Sequence, residues 1–525
     1  MKKVLSILLA MVMLCSLFAG CGGGEGVASG EKLADVKFDA FAVGFGKADI
    51  TPDYTTSISL VGNNDHNTRL STGVLEPLMA TCVAFTDTDG TTVIVFGMDL
   101  HGLDNKVTKT VREGIEEQTG VPADHIQFNV NHNHCGPSQG LDSAMASIKG
   151  YSEKLVELLI QAGTDALTTR KPAKMYTTYA RPENMVYVRH FLKIDGSYEG
   201  NGYDNIPKGE FLEFAEKGDN LLQMVKFTRE GEKDIILFNW QGHPFTSPSE
   251  YYTYLNGCSP AVFRRILLEQ ADTESVYIMG GSGDSVQHSA RPEARLFKDY
   301  KEYGQALAKA AMDAFPTFKE AETGKIYYSY NDEYVCPNDA VGQKWTLSAW
   351  GFGDFGYVSS PSEIFQTVSM DVRESSPYKY TFFAQLANCG SGGYIPDARA
   401  WTYDCYERGP CKVPEGSAEA IGETLKTMIN DCFTQSGQTK KEKDEGYCND
   451  YSPKYDGVTY INNFVGDLSR AVPVNNGFYQ VTLIAGAIEK TLLVQNQEIA
   501  EQILQNATMT LGFSEQSVVI EVTPA

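Results

Sequence analysis

The stretch "HIQFNVNHNHCGP" (residues 125–137) alternates apolar Ile126, Phe128 and Val130 with polar neighbours, then sets His132 and His134 one residue apart before a Gly-Pro break. A period of two predicts a half-buried strand over residues 126–132, because successive strand side chains point to opposite faces. Both histidines then emerge on one side at the strand's C-terminal end, close enough to share a metal ion or a proton. Two histidines so spaced are a weak signal alone. Other ligands have to come from elsewhere in the chain.

The same layout recurs along the chain. "TTVIVFGMD" (91–99), "KDIILFNWQGHP" (233–244), "SVYIMGGSGD" (275–284) and "YTFFAQLANCGSGGY" (380–394) are short apolar runs that pass directly into polar clusters. Functional residues gathered at the ends of separate strands are what an α/β scaffold supplies. Helical spacing of apolar residues falls between them, over 105–118, 151–164, 261–270 and 417–430. The expected fold is therefore an α/β (or α+β) catalytic domain over residues 41–435, with mixed sheets flanked by helices and a metal site at strand ends. The charged, aliphatic-poor stretch around 436–455 reads as a linker, and 456–525 as a small β-rich C-terminal domain that contains a helical piece, "NQEIAEQILQNA".

The 525 residues are 42% hydrophobic and 21% charged, an ordinary globular composition. Lys plus Arg total 44 against 67 for Asp plus Glu, a net charge of −23. Such a chain is unsuited to nucleic acid, whose backbone demands cations, and to lying on an anionic membrane by charge. Lys2 and Lys3, an apolar run from Val4 to Phe18 and "FAGCGGG" (18–24) have the layout of a bacterial lipoprotein signal over 1–21, with lipid on Cys21 and a tether over 22–40. A plain secretory signal is the alternative. No later apolar run is long enough to span a bilayer, so the expected location is an exported, lipid-anchored cell-surface protein. Of the 11 cysteines, Cys405 and Cys411 are spaced for a local disulfide, and Cys135 reads as a buried thiol.

Five segments, in chain order, resemble motifs of the neutral/alkaline non-lysosomal ceramidases: "VGFGKADITPD" (43–53), "NHNHCGPSQG" (131–140), "FNWQGHPFTS" (238–247), "SPSEIFQTVSMDVRE" (360–374) and "LANCGSGGYIPDARAWTYDCYE" (386–407). The resemblance implies hydrolysis of the amide bond of ceramide or a related N-acyl lipid at a membrane surface, giving a fatty acid and a sphingoid amine. It implies one Zn2+ per chain on His132, His243, Glu363 and Tyr394. Whether a structural Ca2+ or Mg2+ accompanies it stays open. Two imidazoles and a carboxylate do suit a borderline cation such as zinc.

Further roles follow from the same resemblance. His134 stands beside the shell as proton relay, Arg189 in "NMVYVRH" matches an arginine at the reacting amide, and Tyr406, or Tyr403 in a competing alignment, faces substrate. Asp284 keeps the family's Gly-Asp motif, but "MGGSGDSVQ" (279–287) departs around Ser285, so a metal-activated water is the expected nucleophile. Asp99 and Asp284 are expected to orient histidines or to cap turns. Glu363 is expected in the first turn of a helix, where exposed amides favour a carboxylate. Two other readings stand beside this one: a surface lipoprotein that binds a solute or lipid around a structural metal, and an amidase or esterase for another substrate.

Overall fold

The computed structural model describes residues 32–53, 56–62, 68–193, 198–201, 211–244, 249–289, 295–388, 393–448, 479–485, 488–494 and 518–524. The signal, Cys21 and most of the expected tether lie outside the described residues. Eight strands make the path of the main sheet: β1 Ala42–Asp49, β2 Met79–Thr86, β3 Thr92–Met98, β4 Ile126–Val130, β5 Lys171–Ala180, β6 Leu222–Arg229, β7 Ile235–Trp240 and β8 Glu274–Met279. Their order is β8-β7-β6-β5-β1-β2-β3-β4. The β3–β4 and β7–β8 pairs are parallel and the rest antiparallel, so the sheet is mixed.

One face of this sheet packs on α1 Asn105–Thr119, α2 Ala146–Thr168, α3 Cys258–Ala271 and α4 Tyr300–Ala314. The glycines of "GFG" explain how close α2 lies on β1: a Cβ on Gly44 or Gly46 would sit 1.9 Å or 2.0 Å from the Ala166 or Ala162 carbonyl oxygen. The other face packs on a second sheet, β9 Tyr327–Val335, β10 Lys344–Phe352, β11 Phe355–Ser359 and, beyond the short strand β12 Glu363–Ile364 and helix α5 Gln366–Ser375, β13 Tyr380–Ala384. After β14 Tyr394–Ile395, helix α6 Ser417–Ser436 joins α5 in covering the outer face of that sheet. The layers are helices, sheet, sheet, helices. Strands buried on both faces read as unbroken apolar runs, and β3 is buried at every position.

Strand β4 departs from the expected half-buried strand in an informative way. Ile126, Phe128 and Val130 enter the helix-side core, but Gln127 and Asn129 are fully buried too. Gln127 Oε1 accepts from Ser348 Oγ at 2.7 Å and from Asn388 Nδ2 at 2.7 Å. Asn129 donates to the Gln385 carbonyl at 2.6 Å and accepts from the Met279 amide at 2.8 Å, joining the two edge strands β4 and β8 and the chain that leaves β13. Alternation here marks two buried faces of different chemistry. Each buried amide left unsatisfied would cost about 1–3 kcal/mol, which is why both are fully engaged.

Past α6, residues 437–448 of the expected linker run against the body: Tyr447 is fully buried beside Leu221 and Tyr380, and its hydroxyl accepts from the Thr381 amide at 3.0 Å. Three C-terminal strands, β15 Tyr479–Ala485, β16 Ile488–Val494 and β17 Val518–Pro524, pair antiparallel with β15 in the middle. The expected helical piece between them lies outside the described residues. Cys405 and Cys411 are free thiols rather than a disulfide, their sulfurs turned to the Ala400 and Val413 carbonyls. Among the described residues no helix is long and apolar enough to cross a membrane.

Candidate metal centre

Strand β4 stops at Val130, two residues before the expected end, and the turn that follows is built by asparagines. The Asn131 side chain accepts from the Asn133 amide at 3.2 Å and the Asn133 side chain from the Cys135 amide at 3.0 Å, two successive side-chain turns. His132 between them has φ +59°, so the strand alternation does not reach it. A left-handed residue other than glycine costs roughly 1–2 kcal/mol, and here the turn is pinned from behind. Asn131 Nδ2 donates to Asp99 at 2.7 Å, and Asp99 is paired with Arg264. Asp99 therefore anchors the asparagine of the turn rather than a histidine directly.

The ring of His132 donates from Nδ1 to the His101 carbonyl at 2.7 Å, which leaves Nε2 as the lone-pair nitrogen. That nitrogen lies 3.3 Å from Glu363 Oε2. His243, three residues past β7, places Nδ1 3.9 Å from the same oxygen. One nitrogen of each histidine and one Glu363 oxygen lie within 4.8 Å of one another, and all three residues are buried. Ligands about 2.0–2.1 Å from a tetrahedral zinc stand roughly 3.3 Å apart, close to what these side chains already span. Glu363 Oε2 and His243 Nδ1 are buried and find no hydrogen-bond partner among the described residues. A cation is the partner such a pair of atoms fits.

Glu363 lies in β12 and not in a helix turn, because α5 begins only at Gln366. The short strand has a purpose. In parallel register with β14 it sets Glu363 directly across from Tyr394. The Tyr394 ring is flanked by the Arg189 guanidinium, 5.3 Å from its centroid, and by the Tyr406 ring at 5.6 Å. Tyr406 is 39% exposed, at the rim, whereas Tyr403 is hydrogen-bonded to His190 Nδ1 at 2.7 Å and stacked on Tyr198. Tyr406 thus lies against Tyr394, and Tyr403 against His190.

Arg189 is clamped. It donates to the Gly283 carbonyl and pairs with Glu407 at 2.5 Å, while the other Glu407 oxygen takes His190 Nε2 at 2.9 Å. Cys405 lies with His190 and Glu407, but both carboxylate oxygens are already committed, so this second cluster is an ion-pair network. Asp284 is bonded to a helix terminus rather than to a histidine ring. Its Oδ1 accepts from the Gln366 amide at 2.9 Å and so caps α5, whose own N-cap residue Phe365 has no side-chain acceptor. Burial pushes the Asp284 carboxyl up to about 6.

Sequence reasoning missed His101. Its ring lies 4.1 Å from that of His132 and 5.2 Å from that of His134, and the signal was a histidine three residues past the end of β3 at Met98. Two of the clustered histidines are held neutral, as metal ligation requires. Burial, the neighbouring imidazoles and nearby arginines hold His134 and His243 well below the usual histidine range, so both are neutral at physiological pH. Burial also opposes a proton on His132, but the negative charge of Glu363 beside it and the His101 carbonyl outweigh burial and raise that pKa.

No protein-family model matches the chain, and no curated protein does. Solved structures do. A neutral ceramidase from Pseudomonas aeruginosa superposes with TM-score 0.60 at 12% identity, over 77% of this chain and 76% of that one. A ceramidase complexed with C2 does so with TM-score 0.60 at 12% identity, over 87% and 90%. At that identity the likeness shows a shared fold spanning most of both chains.

Proposed function

We propose that the chain is a zinc amidohydrolase that cleaves the amide bond of ceramide or a related N-acyl lipid to a fatty acid and a sphingoid amine. The observation that carries this reading is the convergence of His132, His243 and Glu363, with Tyr394 held opposite Glu363 in register. Zinc bound there supplies Lewis acidity, polarising a carbonyl and acidifying water near neutral pH. The ligands' task is to present His132 Nε2, His243 Nδ1 and Glu363 Oε2 already desolvated and aimed. Tyr406 keeps its phenolic proton, since burial and the charge of Glu363 raise its pKa. With the clamped Arg189 it offers donors to an amide oxygen as negative charge develops there.

Water rather than serine is the nucleophile in this reading. Ser285 is fully buried and its hydroxyl donates to the Gln241 carbonyl at 2.7 Å, which engages its proton away from the imidazoles. The shared fold with two ceramidases supports an N-acyl lipid as substrate. A lipid on Cys21 and export by the N-terminal signal would keep the catalytic domain, residues 41–435, beside such substrates.

The test is hydrolysis of a short-chain ceramide by the purified chain, with and without a zinc chelator. Expected is release of fatty acid that stops on chelation and returns with added Zn2+. Chelator-insensitive cleavage would remove the metal from the mechanism. A zinc-loaded chain inert on ceramide and on other N-acyl lipids would instead favour a binding lipoprotein.

A further inference from the structure

A strand continued past Val130 would carry residue 132 onto the face of Ile126, Phe128 and Val130, into the helix-side core. His132 does not follow. Its φ of +59° turns the chain aside, and the ring lies instead with Nδ1 2.7 Å from the His101 carbonyl oxygen and Nε2 3.3 Å from Glu363 Oε2. A residue other than glycine stays in that conformation only when its surroundings hold it there.

The side chain before it is engaged at every position it offers. Buried Asn131 donates from Nδ2 to Asp99 Oδ1 at 2.7 Å and to the Gly257 carbonyl at 3.2 Å. Its Oδ1 accepts from the Asn133 amide and from Asn133 Nδ2, both at 3.2 Å. Two acceptors on one side and a backbone N–H on the other leave the Asn131 amide a single way to point. Asp99 is held as fully. Arg264, on α3, gives Nη1 to Oδ1 at 2.8 Å and Nη2 to Oδ2, and the Met79 amide reaches Oδ2 at 2.9 Å. A Cβ on residue 257 would stand 2.7 Å from Asp99 Cγ, so only glycine lets α3 start this close to the turn.

The geometry points to Asn131 as the positioning residue of the metal centre: bonded to Asp99 and Gly257 behind and to Asn133 ahead, it closes the left-handed turn that aims His132 at Glu363. This rests on the metal centre proposed above. Alanine at 131 takes one partner each from Asp99, from the Gly257 carbonyl and from the Asn133 amide. Residue 132 is then free to return to an ordinary backbone conformation.

Competition with a chromophoric chelator measures the Zn2+ affinity of the full chain, of Asn131→Ala, of Asn131→Ser and of Asp87→Ala. Outer-shell groups that orient metal ligands are worth about 10–100-fold in affinity, and Asn131→Ala is expected to lose that much. Serine accepts from an amide two residues on as asparagine does, but more weakly, so Asn131→Ser is expected to recover part of it. Asp87 controls for lost stability. It is buried in the turn between β2 and β3, at the opposite end of β3 from Asp99, and accepts from the Asp89 and Thr91 amides at 2.9 Å and the Ile326 amide at 2.8 Å. Its alanine variant is expected to lower Tm and to keep the wild-type affinity.

A crystal structure of metal-free Asn131→Ala, or of Asn131→Ser if alanine prevents folding, supplies a readout independent of zinc and of activity. Expected is a negative φ at His132. Unchanged zinc affinity overturns the inference. So does a loss that Asp87→Ala matches, or a loss with His132 still left-handed. A wild-type chain that binds no zinc defeats the metal reading alone, and the conformation of residue 132 in the metal-free variant still decides the role of Asn131.

Discussion

Glu363→Gln is expected to lower kcat/KM for amide cleavage by at least about 10³-fold, equivalent to roughly 4 kcal/mol at 1.36 kcal/mol per decade, and to release zinc from the chain. Glutamine has nearly the same shape, so the β12–β14 ladder that sets residue 363 across from Tyr394 survives. What disappears is the negative charge on the oxygen that faces His132 Nε2 at 3.3 Å and His243 Nδ1 at 3.9 Å. Removing it leaves neutral imidazoles near Arg189 to hold a dication without a counter-charge. Zinc content after gel filtration, read beside the rate, checks this. A variant that keeps both its zinc and its activity would show that Glu363 is not a ligand.

The second large effect lies behind the site. Glu407→Ala is expected to destabilise the fold by about 3–5 kcal/mol, the usual result of stranding one member of a buried ion pair. Glu407 and His190 are fully buried and Arg189 is 3% exposed, so no water replaces the lost carboxylate. Activity should fall further than stability explains, because the guanidinium beside Tyr394 loses its aim. Burial works against the Glu407 anion, but Arg189 and His190 overcome it and hold its pKa down to about 2. A depressed acid stabilises the fold above the unfolded glutamate value of about 4.3, and that contribution fades as the pH falls toward the folded value. Urea denaturation of Glu407→Ala and Glu407→Gln at neutral pH measures the effect. Alanine as stable as wild type would mean that Arg189 finds another partner.

Much of the site was legible because strand ends are marked twice, by an apolar run and by the polar cluster that follows it. His132, His243 and Tyr394 follow such runs, whereas Glu363 was marked only by the motif resemblance; the structure gathers His132, His243 and Glu363 and sets Tyr394 across from Glu363. The local backbone was not legible. His132 has a positive φ because two asparagine side chains turn the chain, and Glu363 is drawn into a two-residue strand by a partner 31 positions later at Tyr394. Both depend on contacts that periodicity does not encode. The same holds for His101, whose role is to offer a carbonyl and a stacking ring, and for Glu407, whose two partners lie more than 200 residues away. Gln127 and Asn129 looked like a solvent face because polar residues alternate there. They are instead the hydrogen-bonding seam between two sheets.

Diffraction from zinc-loaded crystals at wavelengths on either side of the zinc absorption edge tests the central claim most directly. Predicted is a single anomalous peak bonded to His132 Nε2, His243 Nδ1 and Glu363 Oε2, beside Tyr394, with one position left to water. A peak seated among His101, His132 and His134, or an ion closed on every side by protein ligands, would contradict it.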